Sequence, residues 1–200
     1  MLRTRTLNMA MLVGLVTATV AFGQVRQMEV AARQDDADAA AKIENAMSAA
    51  PSTISANATI NYYEFDDTGE FVVLREGSNG WYCFPDIVAT PGNDPSCQDQ
   101  AWQDWTYAFF AGEERNVTVP GFAYMLQGGS DASNTDPLAT EPAKGEEWVN
   151  SPAHVMLLLP GELDQAVFST DHDSGGPYIM WAGTPYEHIM MPVVESEHEQ

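Results

Sequence analysis

The stretch from Ala58 to Phe84 constrains the fold most. "ATINYYEF" (Ala58 to Phe65) and "EFVVLREG" (Glu70 to Gly77) are dense in β-branched and aromatic residues, which suit a pleated, half-buried surface. "DDTG" between them is a hairpin turn, with Gly69 able to take positive φ. "SNG" at Ser78 to Gly80 marks a second turn and leads into "WYCFP". Three strands in succession, broken only by turns, predict an antiparallel meander.

Later segments add to that sheet. "AHVMLLLP" (Ala153 to Pro160) is a short run, apolar apart from His154, and reads as a buried strand. Further strands are expected from Gln165, Pro177 and Glu187, with "GTPYE" as the turn joining the last two. "PSCQDQAWQDWTYAFFAGEE" has helical spacing: Ala101, Trp105, Ala108 and Phe109 share one face, with Trp102 beside it. Pro95 or Ser96 would start this helix, Gln98 to Ala111 would form its body, and Gly112 would end it. A thinner helix, capped by Asp38 and stopped by Pro51, would present Ile43 and Met47 four residues apart. The expected fold is therefore α+β: an antiparallel sheet, built of the N-terminal meander and C-terminal strands, packed against one or two helices.

The ends bound the compartment. Arg3 and Arg5 precede an uncharged run from Met9 to Phe22, and Ala21-Phe22-Gly23 supplies small residues for cleavage before Gln24. Residues 1–23 thus read as a secretory signal peptide. The run of about 14 residues is short of the roughly 20 that span a bilayer, so no stable membrane insertion is expected after cleavage. Residues 24–50 form a polar leader and short helix, 51–194 a single globular domain, and 195–200 a disordered acidic tail. The protein is expected to be periplasmic or extracellular. The net charge is −21, and without Arg3 and Arg5 six basic residues face 29 acidic ones. Such a balance excludes the positive footprint that nucleic-acid binding needs, and a strongly acidic surface could attract cations. An exported chain meets an oxidising compartment, so Cys83 and Cys97 are expected to pair. They bracket the irregular "FPDIVATPGNDPS", and no CxxC spacing favours a metal site instead.

The motifs "LREGSNGWYCFPD", "TPGNDPSC", "YMLQGGSDASNTDP", "HVMLLLPG" and "STDHDSGGPYIMWAGTPYEHIMMPV" follow one another in order. In this order they resemble an uncharacterised family of secreted bacterial proteins with no assigned activity. The resemblance spans roughly Ala41 to Val193. It implies export and one compact domain, and nothing about chemistry.

Three constellations are candidates for chemistry. The first is His154, Asp171, His172, Asp173, Glu187 and His188. Imidazole and carboxylate are the usual ligands of divalent Zn, Mn or Fe, provided they converge. His154 and His188 each open a strand. Parallel pairing would bring them to one edge, and antiparallel pairing would send them to opposite ends. The competing expectation is turn chemistry, since "TDHDSGG" supplies local hydrogen bonds and glycines. The second is the polar loop Gly128, Gly129, Asp131, Ser133, Asn134 and Asp136. It is rich in oxygens but lacks the Gly at the sixth position and the Glu at the twelfth of a calcium loop. Its Gly128-Gly129 backbone could alternatively cradle an anion, against the grain of the net charge. The third is a nucleophile among Ser130, Ser169 and Ser174, for which no GxSxG elbow exists. Met156, Met180, Met190 and Met191 read as core filler, without the closely repeated surface spacing of copper-binding thioethers. The expected function is a module that binds a small ligand or cation; the alternative is a small metal-dependent or acid/base enzyme using His154, Asp171, His172 and His188.

Overall fold

The computed structural model describes residues 37–113 and 115–194. The expected signal peptide, most of the expected leader and the 195–200 segment lie outside the described residues. The chain divides into two compact units, residues 1–41 and 42–200, and only 37–41 of the first are described. The second unit carries the sheet. It opens at Lys42, ahead of Pro51, because Ile43, Ala46 and Met47 in the helix over residues 37–47 (α1) join a core of Ala49, Ala58 and Ile60. A short helix, α2 (Ser52–Ser55), comes next.

Among the described residues ten strands form: β1 (Thr59–Phe65), β2 (Phe71–Arg75), β3 (Tyr82–Phe84), β4 (Ser96–Gln98), β5 (Gly121–Met125), β6 (Gly129–Asp131), β7 (Val149–Ser151), β8 (His154–Leu158), β9 (Tyr178–Met180) and β10 (His188–Pro192). Eight make one mixed sheet in the order β2-β1-β3-β4-β5-β8-β10-β9, and β6 and β7 pair as a separate ribbon. With helix α3 (Gln100–Ala111) packed on it, the architecture is α+β, a sheet against helices.

The first hairpin forms as expected. Asp66 Oδ1 accepts from the Thr68 and Glu70 backbone N–H groups, and Gly69 takes φ +88°. The meander does not continue. β3 lies on the other side of β1 from β2 and runs parallel to it, with Ile60 opposite Cys83. The reason lies at Gly77, where any Cβ would sit 2.1 Å from the Thr59 nitrogen. The chain crosses against the backbone ahead of β1, tied there by Ser78 N–H to Asn57 O and Asn79 Nδ2 to Ile54 O. "SNG" is therefore a crossover, not a hairpin turn. The paired β3 and β4 carry the Cys83–Cys97 disulfide across directly opposed positions.

Helix α3 starts later than Pro95 or Ser96 suggest, because Ser96–Gln98 is claimed by β4. Asp99 is its cap: Oδ1 accepts from Trp102 N–H, while Oδ2 accepts from Phe122 N–H and ties the helix start to β5. Gly112 ends it in the left-handed conformation, φ +69°. The buried face carries Trp102, Trp105, Thr106 and Ala108, so Trp102 takes the place expected of Ala101. No strand starts at Gln165. Asp164 instead captures the chain in a turn, accepting at its carbonyl from Val167 and Phe168 and at Oδ1 from Ala166. The last two strands pair antiparallel, and Thr184 builds the turn between them. No helix among the described residues is long and apolar enough to cross a membrane.

Candidate functional site

Strand register lays out the face of the sheet beneath α3. β8 and β10 are antiparallel, with Met156 opposite Met190 and His154 opposite Pro192. His188 lies one pair beyond Ile189 and Leu157, so the two histidines stand four positions apart, about 14 Å at ~3.4 Å per residue. They are at opposite ends of the strand pair, as antiparallel pairing requires. Alternation by two nevertheless puts His154, Met156, His188 and Met190 on one face. Met125 on β5 stands opposite His154, and Met180 on β9 stands opposite His188.

Between this face and α3 is a cavity of about 210 Å³. Its apolar wall includes Trp102, Trp105, Phe109, Met125, Met156, Met180, Trp181 and Met190; its polar wall includes Tyr63, Asp94, Ser96, Gln98, Asp131, His154 and His188. His154 is 1% exposed, and His188 is 2% exposed. Each uses Nδ1 the same way: His154 meets the Pro152 carbonyl at 2.7 Å, and His188 meets the Tyr186 carbonyl at 3.0 Å. A carbonyl can only accept, so Nδ1 carries the proton and Nε2 keeps its lone pair. Burial holds both imidazoles neutral, down at about 4. His188 sits edge-to-face against three indoles, with centroids 5.1 Å from Trp181, 5.3 Å from Trp102 and 5.8 Å from Trp105.

His154 Nε2 is buried and has no hydrogen-bond partner, and the same holds for the indole N–H groups of Trp102 and Trp105. A buried polar atom left unmade costs about 1–3 kcal/mol, and these three belong to residues lining one cavity. Trp181 is the only non-glycine among the described residues with positive φ, 56°. It is held there by its backbone N–H on Asn134 O and its indole N–H on Ser133 O. A residue whose backbone is held in so sparsely populated a conformation is a feature that binding sites often keep.

Two carboxyls close the polar end. Asp94 Oδ1 accepts from Ser130 N–H at 3.0 Å, and Oδ2 accepts from the Thr90 hydroxyl. Burial, reinforced by the charge of Asp86, raises the Asp94 carboxyl. Burial and then the Asp94 charge push Asp131 up to about 7. Gly92 must lack a side chain here, since a Cβ would come 2.3 Å from Ser130 Oγ. A Cβ on Gly129 would meet Met125 Cε at 3.0 Å, His154 Cε1 at 3.7 Å and Asp94 Oδ1 at 3.8 Å. These three groups therefore surround one point.

The first candidate constellation is thus divided. His154 and His188 reach the cavity. Asp171, His172 and Asp173 lie on an outer loop, where His172 Nδ1 is 3.1 Å from Asp173 Oδ1 and Asp171 Oδ1 accepts from Asp173 N–H. Glu187 is a clasp, accepting from Leu163 N–H at Oε1 and Gly183 N–H at Oε2. Among the described residues, no three His, Cys, Asp or Glu side chains gather as a metal group. The polar loop divides too. Gly129, Ser130 and Asp131 border the cavity. Ser133 and Asp136 make local turns, Asn134 Nδ2 donates to Thr170 O, and Gly128, at φ +87°, turns the chain into β6. Asp94 and Met125 were missed by sequence reasoning. Asp94 sits in the proline-rich disulfide loop with no motif to mark it, and Met125 becomes visible only once β5 is registered against His154. Met156, Met180 and Met190, expected as core filler, line the cavity as well. No family model, no curated protein and no solved structure matches this chain.

Proposed function

We propose that the protein is an exported binding protein that holds a small electron-pair acceptor, a hydrogen-bond donor or a cation, in the cavity beneath α3. The observation that carries this is the buried, unpartnered Nε2 of His154, its lone pair fixed by the bond from Nδ1 to Pro152. Buried polar atoms in folded proteins are overwhelmingly paired, so an orphan on a cavity wall marks where a ligand completes the structure. A cavity of roughly 150 Å³ takes up benzene, so 210 Å³ admits a single-ring molecule or an ion with its ligands. Export is supported by the N-terminal sequence and the disulfide. Of the four residues of the alternative, a small metal-dependent or acid/base enzyme, His154 and His188 line the cavity while Asp171 and His172 stand outside its lining, which favours the binding reading.

Trp102, Trp105 and Trp181 line the cavity, so occupancy is readable from tryptophan emission. Titration with phenol, aniline and a series of metal ions should give a saturable emission change with at least one of them. Gly129→Ala, which places a methyl between Met125, His154 and Asp94, should weaken that binding without unfolding the protein. No saturable change with any of them, or equal binding by the Gly129→Ala variant, would defeat the reading.

A further inference from the structure

We propose that the ligand is a soft monovalent metal ion, Cu(I) in chemical class, bound by His154 Nε2 together with the thioethers of Met125 and Met156. This rests on the reading of the cavity as a binding site and names its occupant. Met125 and His154 are direct cross-strand partners, and Met156 is the next residue along β8 on the same face. Side chains opposed in this way start with Cβ atoms about 4.5–5.5 Å apart. Their far ends also converge: Met125 Cε and His154 Cε1 lie 3.0 and 3.7 Å from the one point fixed by Gly129. Each of these carbons is bonded to the donor atom of its side chain.

The donor set selects the ion. Thioether sulfur is a soft ligand that favours Cu(I), and imidazole nitrogen serves copper as readily as it serves zinc, whereas calcium demands 6–8 oxygens and zinc sites use thiolate, imidazole and carboxylate rather than thioether. All three donors proposed here are neutral, which suits a single positive charge. Asp94 Oδ1, 3.8 Å from the same point, adds a nearby anion without being needed as a ligand. The bond from His154 Nδ1 to a backbone carbonyl is the outer-shell arrangement that orients metal-bound histidines and exposes Nε2. The indoles of Trp102 and Trp105 border the same space and offer aromatic surface to a cation. Both cysteines are in the disulfide, so no thiolate competes for a soft ion.

The test uses the full chain after signal removal. Ag(I) serves as a redox-stable probe, by equilibrium dialysis with metal analysis, and Cu(I) is measured in competition with a chromophoric Cu(I) chelator. We expect one ion per chain, with quenching of tryptophan emission. Met125→Leu and Met156→Leu keep side-chain volume, so folding should persist. Each should weaken binding by at least the 10–100-fold that loss of an outer-shell partner typically costs a metal site. His172→Ala should change nothing. The assignment is overturned by absent stoichiometric binding, by wild-type affinity in both methionine variants, or by Zn(II) binding as tightly as Ag(I). If Ag(I) fails while phenol or aniline still shifts the emission, the metal falls and the binding cavity stands. If neither binds, both fall.

Discussion

Helix α3 covers two unlike parts of one sheet face. Over the N-terminal strands the space is filled with aromatic rings: Phe71 meets Phe84 and Phe110 edge-on, and Tyr63 stacks on Phe84 at 4.5 Å. Phe84 is fully buried, and the disulfide locks the strands behind it. From β4 across the C-terminal strands the same helix faces methionines, two neutral histidines and a cavity, with orphan polar atoms in its wall and Tyr63 and Phe110 on the border between the two parts. The first part is built as cores are built to be stable. The second gives up packing and hydrogen bonds that a purely structural core would make. That contrast is the physical case for a site, and it can be attacked from both sides.

The largest effect should come from the filled side. Phe84→Ala is expected to lose about 3–5 kcal/mol, read from the midpoint of guanidinium unfolding. A loss under about 1 kcal/mol would mean that this side is not the packed one. Next, reducing the disulfide, or making Cys83→Ser with Cys97→Ser, releases a loop of about 15 residues and should cost on the order of 3 kcal/mol. An unchanged melting temperature under reductant would argue that the strands hold without it.

The cavity side should announce itself through pH. His188, held at about 4 against an ordinary 6.5, contributes stability that is complete above pH 6.5 and is lost as pH falls towards 4. Asp131, raised from 3.8 to about 7, has the opposite sign: its contribution is complete below pH 4 and is lost as pH rises towards 7. Each amounts to roughly 1.4 kcal/mol per pH unit within its window. His188→Gln should therefore flatten the acid limb of the stability curve. Asp131→Asn should gain on the wild type as pH climbs from 4 to 7. Parallel curves for variant and parent would remove these groups from the interior. The smallest effect is expected at the cavity wall: Met156→Leu, which preserves volume, should cost less than about 1.5 kcal/mol while binding suffers.

Much of this was legible in the sequence where the signal is local. The first hairpin, the helix before Gly112, the buried run after Pro152 and the final strand pair are set by neighbouring residues, and the cysteine pair followed from there being two cysteines in a chain expected to be exported. The crossover into β3 was not legible, because Gly77 is required by its contact with Thr59 and Ala58, not by any turn of its own. His154 and His188 were visible as candidates, but Glu187 and the Asp171-His172-Asp173 run looked equally good. Only register and depth separate an imidazole under α3 from one on an outer loop. Met125 and Asp94 belong to the site through pairings and loop paths that no short motif encodes.

The most direct test tracks the ¹⁵N resonances of the imidazoles while the folded protein is titrated with phenol and, separately, with Ag(I). His154 Nε2 should move with at least one of these probes, His154 Nδ1 should stay on the Pro152 carbonyl, and His172 should remain unchanged. Shifts confined to His172, with His154 silent towards both probes, would contradict the claim that the cavity beneath α3 is the site.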